Sequence, residues 1–296
     1  MVTTKTMTAE THIRYKKESQ FMQVLKRLAQ DRFAMTGLGI LIVIILLSTF
    51  APVITPYSAN AFDPKVALQG SSMAHWLGCD KFGRDMLTRL LYGGRYSLLL
   101  GFTAAAASAV IGLVLGAFAG YFGGWVDNLV MRFLDVLQAI PGMLLSICIA
   151  TALGNGFLNT IIALSIGGIA GITRMLRARI MSERKSEYLE AAASINCSTS
   201  RIIFKHLLPN TVSPVIVNIT MGIGATIMQA AGLSYIGLGV PVGTPEWGAM
   251  LSEGRAYIQS APHLLLWPGV FIAVTVLAIN MLGDGLRDAM DPRLKK

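Results

Sequence analysis

Long apolar stretches alternate with short polar segments along this chain, and six of the stretches are long enough to cross a lipid bilayer. They cover approximately residues 36–54, 96–121, 130–152, 158–176, 212–235 and 266–284. We find no convincing internal repeat. The pattern predicts an all-α, polytopic membrane protein with six transmembrane helices, and an even number of spans places both termini on the same side.

The residues before the first span are polar and basic. Phe21, Val24, Leu25 and Leu28 fall on one face of a helix there, with Lys26 elsewhere. This arrangement predicts an amphipathic helix at the membrane interface. The basic region is too long for a secretory signal, so the first apolar stretch is predicted to be a transmembrane helix.

Composition agrees with a membrane protein. Of the 296 residues, 53% are hydrophobic and 14% are charged, with a mean hydropathy of +0.58, whereas soluble domains carry about 25% charged residues. The net charge of +9 comes from basic blocks beside the apolar spans. No basic stretch is interleaved with aromatic residues, so we expect no nucleic-acid partner and assign the charge to the anionic surface of membrane lipid.

The distribution of Lys and Arg predicts the orientation. Nineteen of the 25 lie in the N-terminal tail, in residues 174–206, in the C-terminal tail or at Arg132. The remaining six face the other side: Lys65, Lys81, Arg84, Arg89, Arg95 and Arg255. Because cytoplasmic loops carry the excess of positive charge, both termini and residues 174–206 are predicted to be cytoplasmic.

A polar helical hairpin is predicted between the fourth and fifth spans. Ser186 can cap a helix whose first turn carries Glu187 and Glu190, and an Ala-rich run follows with almost no side-chain bulk. Asn196 tolerates the left-handed conformation that ends a helix. A second helix can begin at the next Ser and Thr residues and stop before Pro209. Such an element is either a docking site for a soluble partner or an ordinary surface hairpin.

The hairpin resembles the Glu-Ala-Ala loop through which type I ABC importer permeases contact their ATPase subunits. The family usually has Gly where this chain has Asn196, a residue enriched at positive φ. The resemblance implies ATPase-coupling roles for Glu187, Tyr188, Glu190, Ala191, Ala192, Asn196, Phe204, His206 and Pro209.

Four further segments resemble the dipeptide, oligopeptide and nickel permeases of that family: residues 75–85, 119–127, 247–251 and 280–293. Thr is common there in place of Cys79, whose role the sequence does not indicate. The single outward loop after the first span and the C-terminal tail favour the C-type subunit. Within the first of these segments, we expect Asp80, Arg84, Asp85 and Arg89 to form charge pairs that order the outward loop or to contact a binding protein.

The resemblance implies a domain organisation and a set of partners. Residues 1–35 form the tail, 36–95 the first helix with an outward loop, 96–286 the permease core with a hairpin near 177–211, and 287–296 the cytoplasmic end. The implied partners are a homologous second permease, two ATPase subunits and an extracytoplasmic solute-binding protein. The implied location is the cytoplasmic membrane of a bacterium or archaeon, and the implied substrates are short peptides, with nickel or a metal chelate as the alternative.

The sequence also supplies candidates for a translocation path. Polar and small residues recur at helical spacing within two spans, where polar side chains avoid lipid. They are Gln138 and Ser146 in the third span, and Asn218, Met221, Gly222, Ala225 and Gln229 in the fifth. The alternative is hydrogen bonding between helices without substrate contact.

Other classes of function have less support. A secondary transporter would carry ionisable residues at mid-membrane and inverted repeats, and Asp135 is the one candidate, beside Arg132. An enzyme is not expected, because HExxH and GxSxG are absent. No Cys or His pair has metal-ligand spacing, so no metal site is predicted. The sequence lacks a GxxxxGK[ST] phosphate loop, so no cofactor is expected on this chain, and ATP and Mg are expected on partner ATPases.

Overall fold

A computed structural model describes residues 20–290, apart from the side chains of Gln20, Phe21 and Ala193. Its α-helices are α1 (Gln20–Gln30), α2 (Arg32–Thr49), α3 (Ala51–Ile54), α4 (Met86–Phe122), α5 (Gly124–Gln138), α6 (Gly142–Leu153), α7 (Phe157–Glu183), α8 (Glu187–Ser194), α9 (Thr199–Arg201), α10 (Leu208–Thr211), α11 (Ser213–Tyr235), α12 (Trp247–Gly254) and α13 (His263–Met290). Pro64–Val66 and Arg255–Tyr257 are 3₁₀-helices, and Ile202–Leu207 is a π-helix. The ends of the predicted tails, residues 1–19 and 291–296, lie outside the described residues.

The all-α prediction is confirmed. Five helices, α2, α4, α7, α11 and α13, are long and apolar enough to cross a membrane, and the number is six if the bent pair of α5 and α6 forms one span. The amphipathic helix predicted before the first span is present as α1, which packs against α13 and α2. Its position at a membrane interface stays a prediction.

The third span differs from the prediction of one helix over 130–152. It consists of α5 and α6, which meet at an angle of 85°. The break falls at residues 139–141, where Pro141 precedes the first residue of α6. Because proline lacks an N–H and its ring clashes with the preceding turn, the chain bends here more sharply than a kinked helix would.

The second span begins ten residues earlier than the predicted 96, so Arg89 and Arg95 belong to α4 and not to the outward loop. Asp85 explains the early start. Its carboxylate accepts hydrogen bonds from the backbone N–H and the hydroxyl of Thr88, each at 2.7 Å. This is the geometry of an N-cap, which satisfies donors at the start of a helix.

The centre of the bundle is the extensive contact between α4 and α7. A ridge on α4 formed by Gly112, Gly116 and Gly120 allows it. A Cβ atom at Gly112 would lie 2.8 Å from Cβ of Ile172, and one at Gly116 would lie 2.8 Å from the carbonyl oxygen of Thr173. Larger residues would force the helices apart, so the ridge serves helix packing, as small residues do in lipid.

The segment after α11 folds back as the short helix α12. α12 packs against α4, α11 and α13. Trp247 is fully buried there, and its indole N–H donates to the carbonyl oxygen of Leu90 at 2.9 Å. α12 therefore ties three spans together on the side opposite the α8–α10 hairpin.

Candidate coupling hairpin and cleft

The predicted hairpin is formed by α8, a tight turn, α9, the π-helix and α10. Asn196 has φ of 60°, as predicted, and lies between the two arms. The backbone N–H of Cys197 donates to the carbonyl oxygen of Ala192 at 3.1 Å, which closes the turn. Asn tolerates this left-handed conformation better than most residues other than Gly.

The start of α8 differs from the prediction in one respect. The carbonyl oxygen of Ser186 accepts hydrogen bonds from Leu189 and Glu190, at 3.0 and 3.2 Å, but its hydroxyl is buried without a hydrogen-bond partner. The predicted side-chain cap at Ser186 is therefore wrong. Tyr188 connects α8 to α7 instead, because its hydroxyl donates to the carboxylate of Glu183 at the end of α7, at 3.0 Å.

The inner face of the hairpin is apolar and buried. Leu189 and Ala192 of α8 join Ile202, Leu207 and Val215 in one cluster that continues to α4 and α7. Ala192 is 7% exposed. It therefore packs inside this chain, which corrects the prediction that Ala191 and Ala192 together form an exposed small face.

The outer face of the hairpin exposes large apolar side chains among charged ones. Phe204 is 70% exposed and Ile195 is 76% exposed. The other exposed predicted residues are Glu187, Tyr188, Glu190, Ala191, Asn196 and Pro209, whereas His206 is half-buried. Exposed apolar residues on an ordered projection are typical of a protein contact surface.

The second arm was predicted to stop before Pro209, but it continues through this residue to Thr211. In the π-helix the N–H of Leu208 donates to Ile203, five residues back, and Pro209 then occupies the first turn of α10. A proline is tolerated there because the first turn needs no N–H at that position. The amide of Asn210 donates to the carbonyl oxygen of His206, at 2.9 Å, so this carbonyl has a partner beside the proline.

The predicted stripe on α11 faces a cleft of about 210 Å³ among α4, α6, α7 and α11. Asn218, Gly222, Ala225 and Gln229 line it together. Gly167, Gly168 and Gly171 of α7 line the opposite wall. The stripe therefore borders open space, with polar groups on one wall and small residues on the other.

Three other predicted path residues lie elsewhere. Ser146 is 1% exposed, and its hydroxyl donates to the carbonyl oxygen of Ala163 at 3.1 Å, so it joins α6 to α7. Gln138 is exposed at the end of α5 and does not line the cleft. Met221 lines a second cavity, beside Arg179 and Arg287, that adjoins the cleft at Asn218. The interhelical alternative therefore holds for Ser146.

On the opposite side, the predicted charge pairs form a buried network. Arg84 bonds both Asp80 and Glu253, and Arg89 lies 3.3 Å from Glu253 and 3.5 Å from Asp80. Asp85 is not part of it, because it caps α4 and contacts Nδ1 of His75 at 2.9 Å. The network joins the loop before α4, and α4 itself, to α12, so it is interior to the fold and not an exposed loop feature.

Two carboxylates of this region were missed by sequence reasoning. Glu246 caps α12, accepting from the N–H groups of Gly248 and Ala249 at 2.9 and 2.8 Å, and it also accepts from the hydroxyl of Ser97. Glu253 is the partner of both arginines. The signal was available, since Glu246 and Glu253 are seven residues apart and share one helical face in apolar sequence.

Cys79 lies beside this network and is fully buried. Burial, with smaller contributions from Asp85, Asp80 and Asp63, raises the pKa of the Cys79 thiol to about 11. The thiol is therefore neutral at physiological pH and behaves as a small apolar group. Across residues 20–290, no group of three or more His, Cys, Asp or Glu side chains is placed to hold a metal ion.

Comparison with protein families gives two matches. Residues 112–296 match the family described as "Binding-protein-dependent transport system inner membrane component". Residues 19–70 match the family described as "N-terminal TM domain of oligopeptide transport permease C". Together the two matches cover most of the predicted core, from residue 112 onward, and the first span with its flanking residues.

Individual relatives agree with the family matches. The dipeptide transport system permease protein DppC of Alkalihalophilus pseudofirmus is 43% identical over 281 residues, which cover 95% of this chain and 92% of the relative. The glutathione transport system permease protein GsiD of Escherichia coli is 45% identical over 271 residues, covering 91% and 89%. A chain of the MetNI methionine ABC transporter has a similar fold, with a TM-score of 0.56 at 20% identity over 70% of this chain and 98% of that chain.

Proposed function

The chain belongs to the family of binding-protein-dependent transport system inner membrane components, and we propose that it imports short peptides and receives the motion of separate ATPase subunits through its α8–α10 hairpin. It is a multi-pass permease subunit of an ABC importer, from a family of transport proteins that are not enzymes. In general, such a subunit works with a second permease, ATPases and a binding protein. The identities of these partners and the role of each hairpin residue are part of the proposal.

The observation that carries the coupling role is the two-sided hairpin. Its inner face is fixed to the bundle by Leu189, Ile202 and Leu207, while Phe204 and Ile195 project from its outer face. A partner that binds the outer face would therefore move the hairpin as a unit. Glu187 and Glu190 add exposed carboxylates beside this apolar patch.

The same hairpin is joined to the cleft. α10 ends at Thr211 and α11 begins at Ser213, so one residue separates the docking element from the helix that carries Asn218 and Gln229. Leu207 and Val215 also share the buried cluster beneath the hairpin. A displacement of the outer face would reach α11 through the backbone and through packed side chains, a contiguous connection of the kind that can carry coupling.

The sequence supports separate ATPases on the cytoplasmic side. It contains no GxxxxGK[ST] phosphate loop, so ATP and Mg would be held by the partner subunits. The hairpin lies among the Lys- and Arg-rich segments, and the excess of positive charge favours a cytoplasmic position for it and for both termini. ATP-driven closure of the ATPases would then pull on the hairpin and reshape the path.

Short peptides are the substrate class that the relatives favour. Two relatives covering about nine-tenths of the chain are named for dipeptide and glutathione transport, and glutathione is itself a tripeptide. The cleft beside α11 has polar groups without a buried charge to select one side chain. A lining of this kind suits substrates that share a backbone and differ in side chains.

Co-purification and ATP hydrolysis test the proposal. Phe204→Ala and Ala191→Trp alter the exposed face only, so each is expected to lose the ATPase subunits during purification or to abolish peptide-stimulated ATP hydrolysis. Truncating a central interface aromatic costs about 2–4 kcal/mol of binding. Trp76→Ala is the matched control, because Trp76 is 69% exposed on the opposite side.

Two outcomes would contradict the coupling role. One is normal peptide-stimulated hydrolysis in both hairpin variants. The other is an equal loss of the ATPase subunits in Trp76→Ala, which would indicate general misfolding. Failure of any di- or tripeptide to stimulate hydrolysis by the wild-type complex with its binding protein would refute the substrate class alone.

A further inference from the structure

A second cavity, of about 490 Å³, lies between the hairpin-side ends of α7, α11 and α13. Arg179 of α7 and Arg287 of α13 both line it. Met175, Met221 and Met290 line it as well, together with Pro214 and Val217. Two guanidinium groups therefore face one space whose other lining residues are uncharged.

These two arginines differ from Arg174 and Arg177, the other two arginines of α7. Arg174 pairs with Asp135 at 2.6 Å, and Arg177 pairs with both carboxylate oxygens of Asp127. By contrast, neither Arg179 nor Arg287 has a hydrogen bond or an ion pair to any described residue.

The acidic residues of α13 do not supply a partner either. Asp284 and Asp288 flank Arg287 along the helix, but within the described part of the chain neither forms an ion pair with it. Within residues 20–290, no acceptor therefore takes up the five N–H donors of either guanidinium, and these donors can bind a ligand.

The cavity continues from the cleft beside α11. Asn218 lines both spaces, one helical turn after the start of α11. A molecule that moves along the α11 stripe toward the hairpin side would therefore pass Asn218 and meet the two arginines next.

We propose that Arg179 and Arg287 form an exit site that binds the terminal carboxylate of the transported peptide before its release. The proposal rests on the proposed function, since it assumes that the α11 cleft carries peptides. A planar guanidinium matches a carboxylate in two parallel hydrogen bonds, and every linear peptide with a free C-terminus carries this group whatever its side chains. The three methionines complete the site, because their unbranched side chains adapt to variable peptide side chains.

Protection from labelling tests the site directly. The complex, purified with its partner subunits and free of nucleotide and binding protein, is placed in phosphatidylcholine nanodiscs. The three native cysteines are replaced, and Met290→Cys serves as the reporter for a water-soluble maleimide. Alanyl-alanine is expected to slow labelling about fivefold, and its C-terminal amide is expected to have little effect, because the carboxylate is the group recognised.

The arginine variants give the decisive comparison. Arg179→Gln and Arg287→Gln are each expected to abolish the protection, and Arg179→Lys is expected to retain part of it. Arg132→Gln is the matched control, since Arg132 is also exposed and without an ion pair to described residues but does not line the cavity. Met175→Cys provides a second reporter if the complex that carries Met290→Cys does not assemble.

Each remaining outcome has a defined meaning. Equal protection by the amide, or full protection in both Gln variants, would overturn the exit site. Slow labelling without peptide in phosphatidylglycerol nanodiscs, reversed by Arg179→Gln, would also overturn it and would assign the cavity to an anionic lipid headgroup. ATP-driven uptake of alanyl-alanine by the wild-type complex with its binding protein is measured in parallel, so that absence of uptake is attributed to the proposed function and not to the exit site.

Discussion

Replacing Glu253 with Gln removes one negative charge from the buried network while leaving the volume of the side chain nearly unchanged. Glu253 accepts hydrogen bonds from Arg84, from Arg89 at 3.3 Å and from the backbone N–H of Gly243 at 3.0 Å. All of these partners are donors. A Gln amide must point its own N–H₂ group at one of them, so one donor loses its acceptor.

The cost follows from burial. The side chains of Arg89 and Glu253 are 1% and 7% exposed, so water cannot replace the lost carboxylate. Two arginines then share the single charge of Asp80. Breaking a buried ion pair from one side costs about 3–5 kcal/mol. For a chain of this length, that loss lowers the Tm by about 6–10 °C.

Thermal unfolding of the purified chain in detergent measures the effect. Asp135→Asn is the matched control, since its pair with Arg174 is exposed, at 53% and 42% for the two side chains. An exposed pair contributes about 0–1 kcal/mol, so the control is expected to lower the Tm by at most about 2 °C. Equal Tm values for Glu253→Gln and wild type, or an equal fall in Asp135→Asn, would refute the argument from burial.

Three further predictions address other parts of the molecule. Asn196→Gly is expected to preserve the hairpin, whereas Asn196→Val is expected to lower the free energy of unfolding by about 1–2 kcal/mol, because φ is 60° at this position. Tm and peptide-stimulated ATP hydrolysis measure the two effects. Equal behaviour of the two variants would contradict this prediction. Because the pKa of Cys79 is about 11, only about 1% is thiolate at pH 9, so raising the pH from 7 to 9 is expected to leave Cys79 unlabelled in the folded protein while half-buried Cys197 reacts. Labelling of both at similar rates would refute it. Single cysteines at Asn218 and Ala225, in a background without native cysteines, are expected to react with a water-soluble maleimide in at least one nucleotide state, unlike one at Val110 on α4; inert behaviour in every state would exclude the cleft as a path.

Much of the fold could be predicted because lipid imposes a simple rule on sequence. A span must be apolar for about 20 residues, so its existence is visible in any window of that length. The residues at which the spans begin and end were harder to predict from the sequence. α4 extends back to Met86 because Asp85 caps it, and its first turns carry Arg89, which a hydropathy window reads as loop. Arg89 is tolerated there because Glu253, distant in sequence, neutralises it.

The hairpin illustrates what local sequence can and cannot specify. The positive φ of Asn196 is a property of one residue type in one turn and was predicted correctly. The sequence did not predict which of Ala191 and Ala192 is exposed, because this depends on how the two arms pack. Ala192 is buried by Ile202 and Leu207 from the other arm, and a periodicity argument on eight residues cannot tell which side that arm covers.

The two ends of α11 are held in different ways, and this difference bears on how the hairpin could act. At the end far from the hairpin, α12 packs so closely that a Cβ at Gly248 would lie 2.5 Å from the carbonyl oxygen of Ala231. α12 is in turn fixed to α4 by Glu253 and by Trp247. At the other end, α11 continues almost directly from α10 and borders two open spaces. A force applied at Phe204 would therefore displace Asn218 more than Ala231, with the α12 contact as the pivot. The polar residues that change environment most would then be those nearest Arg179 and Arg287, where the proposed exit site lies.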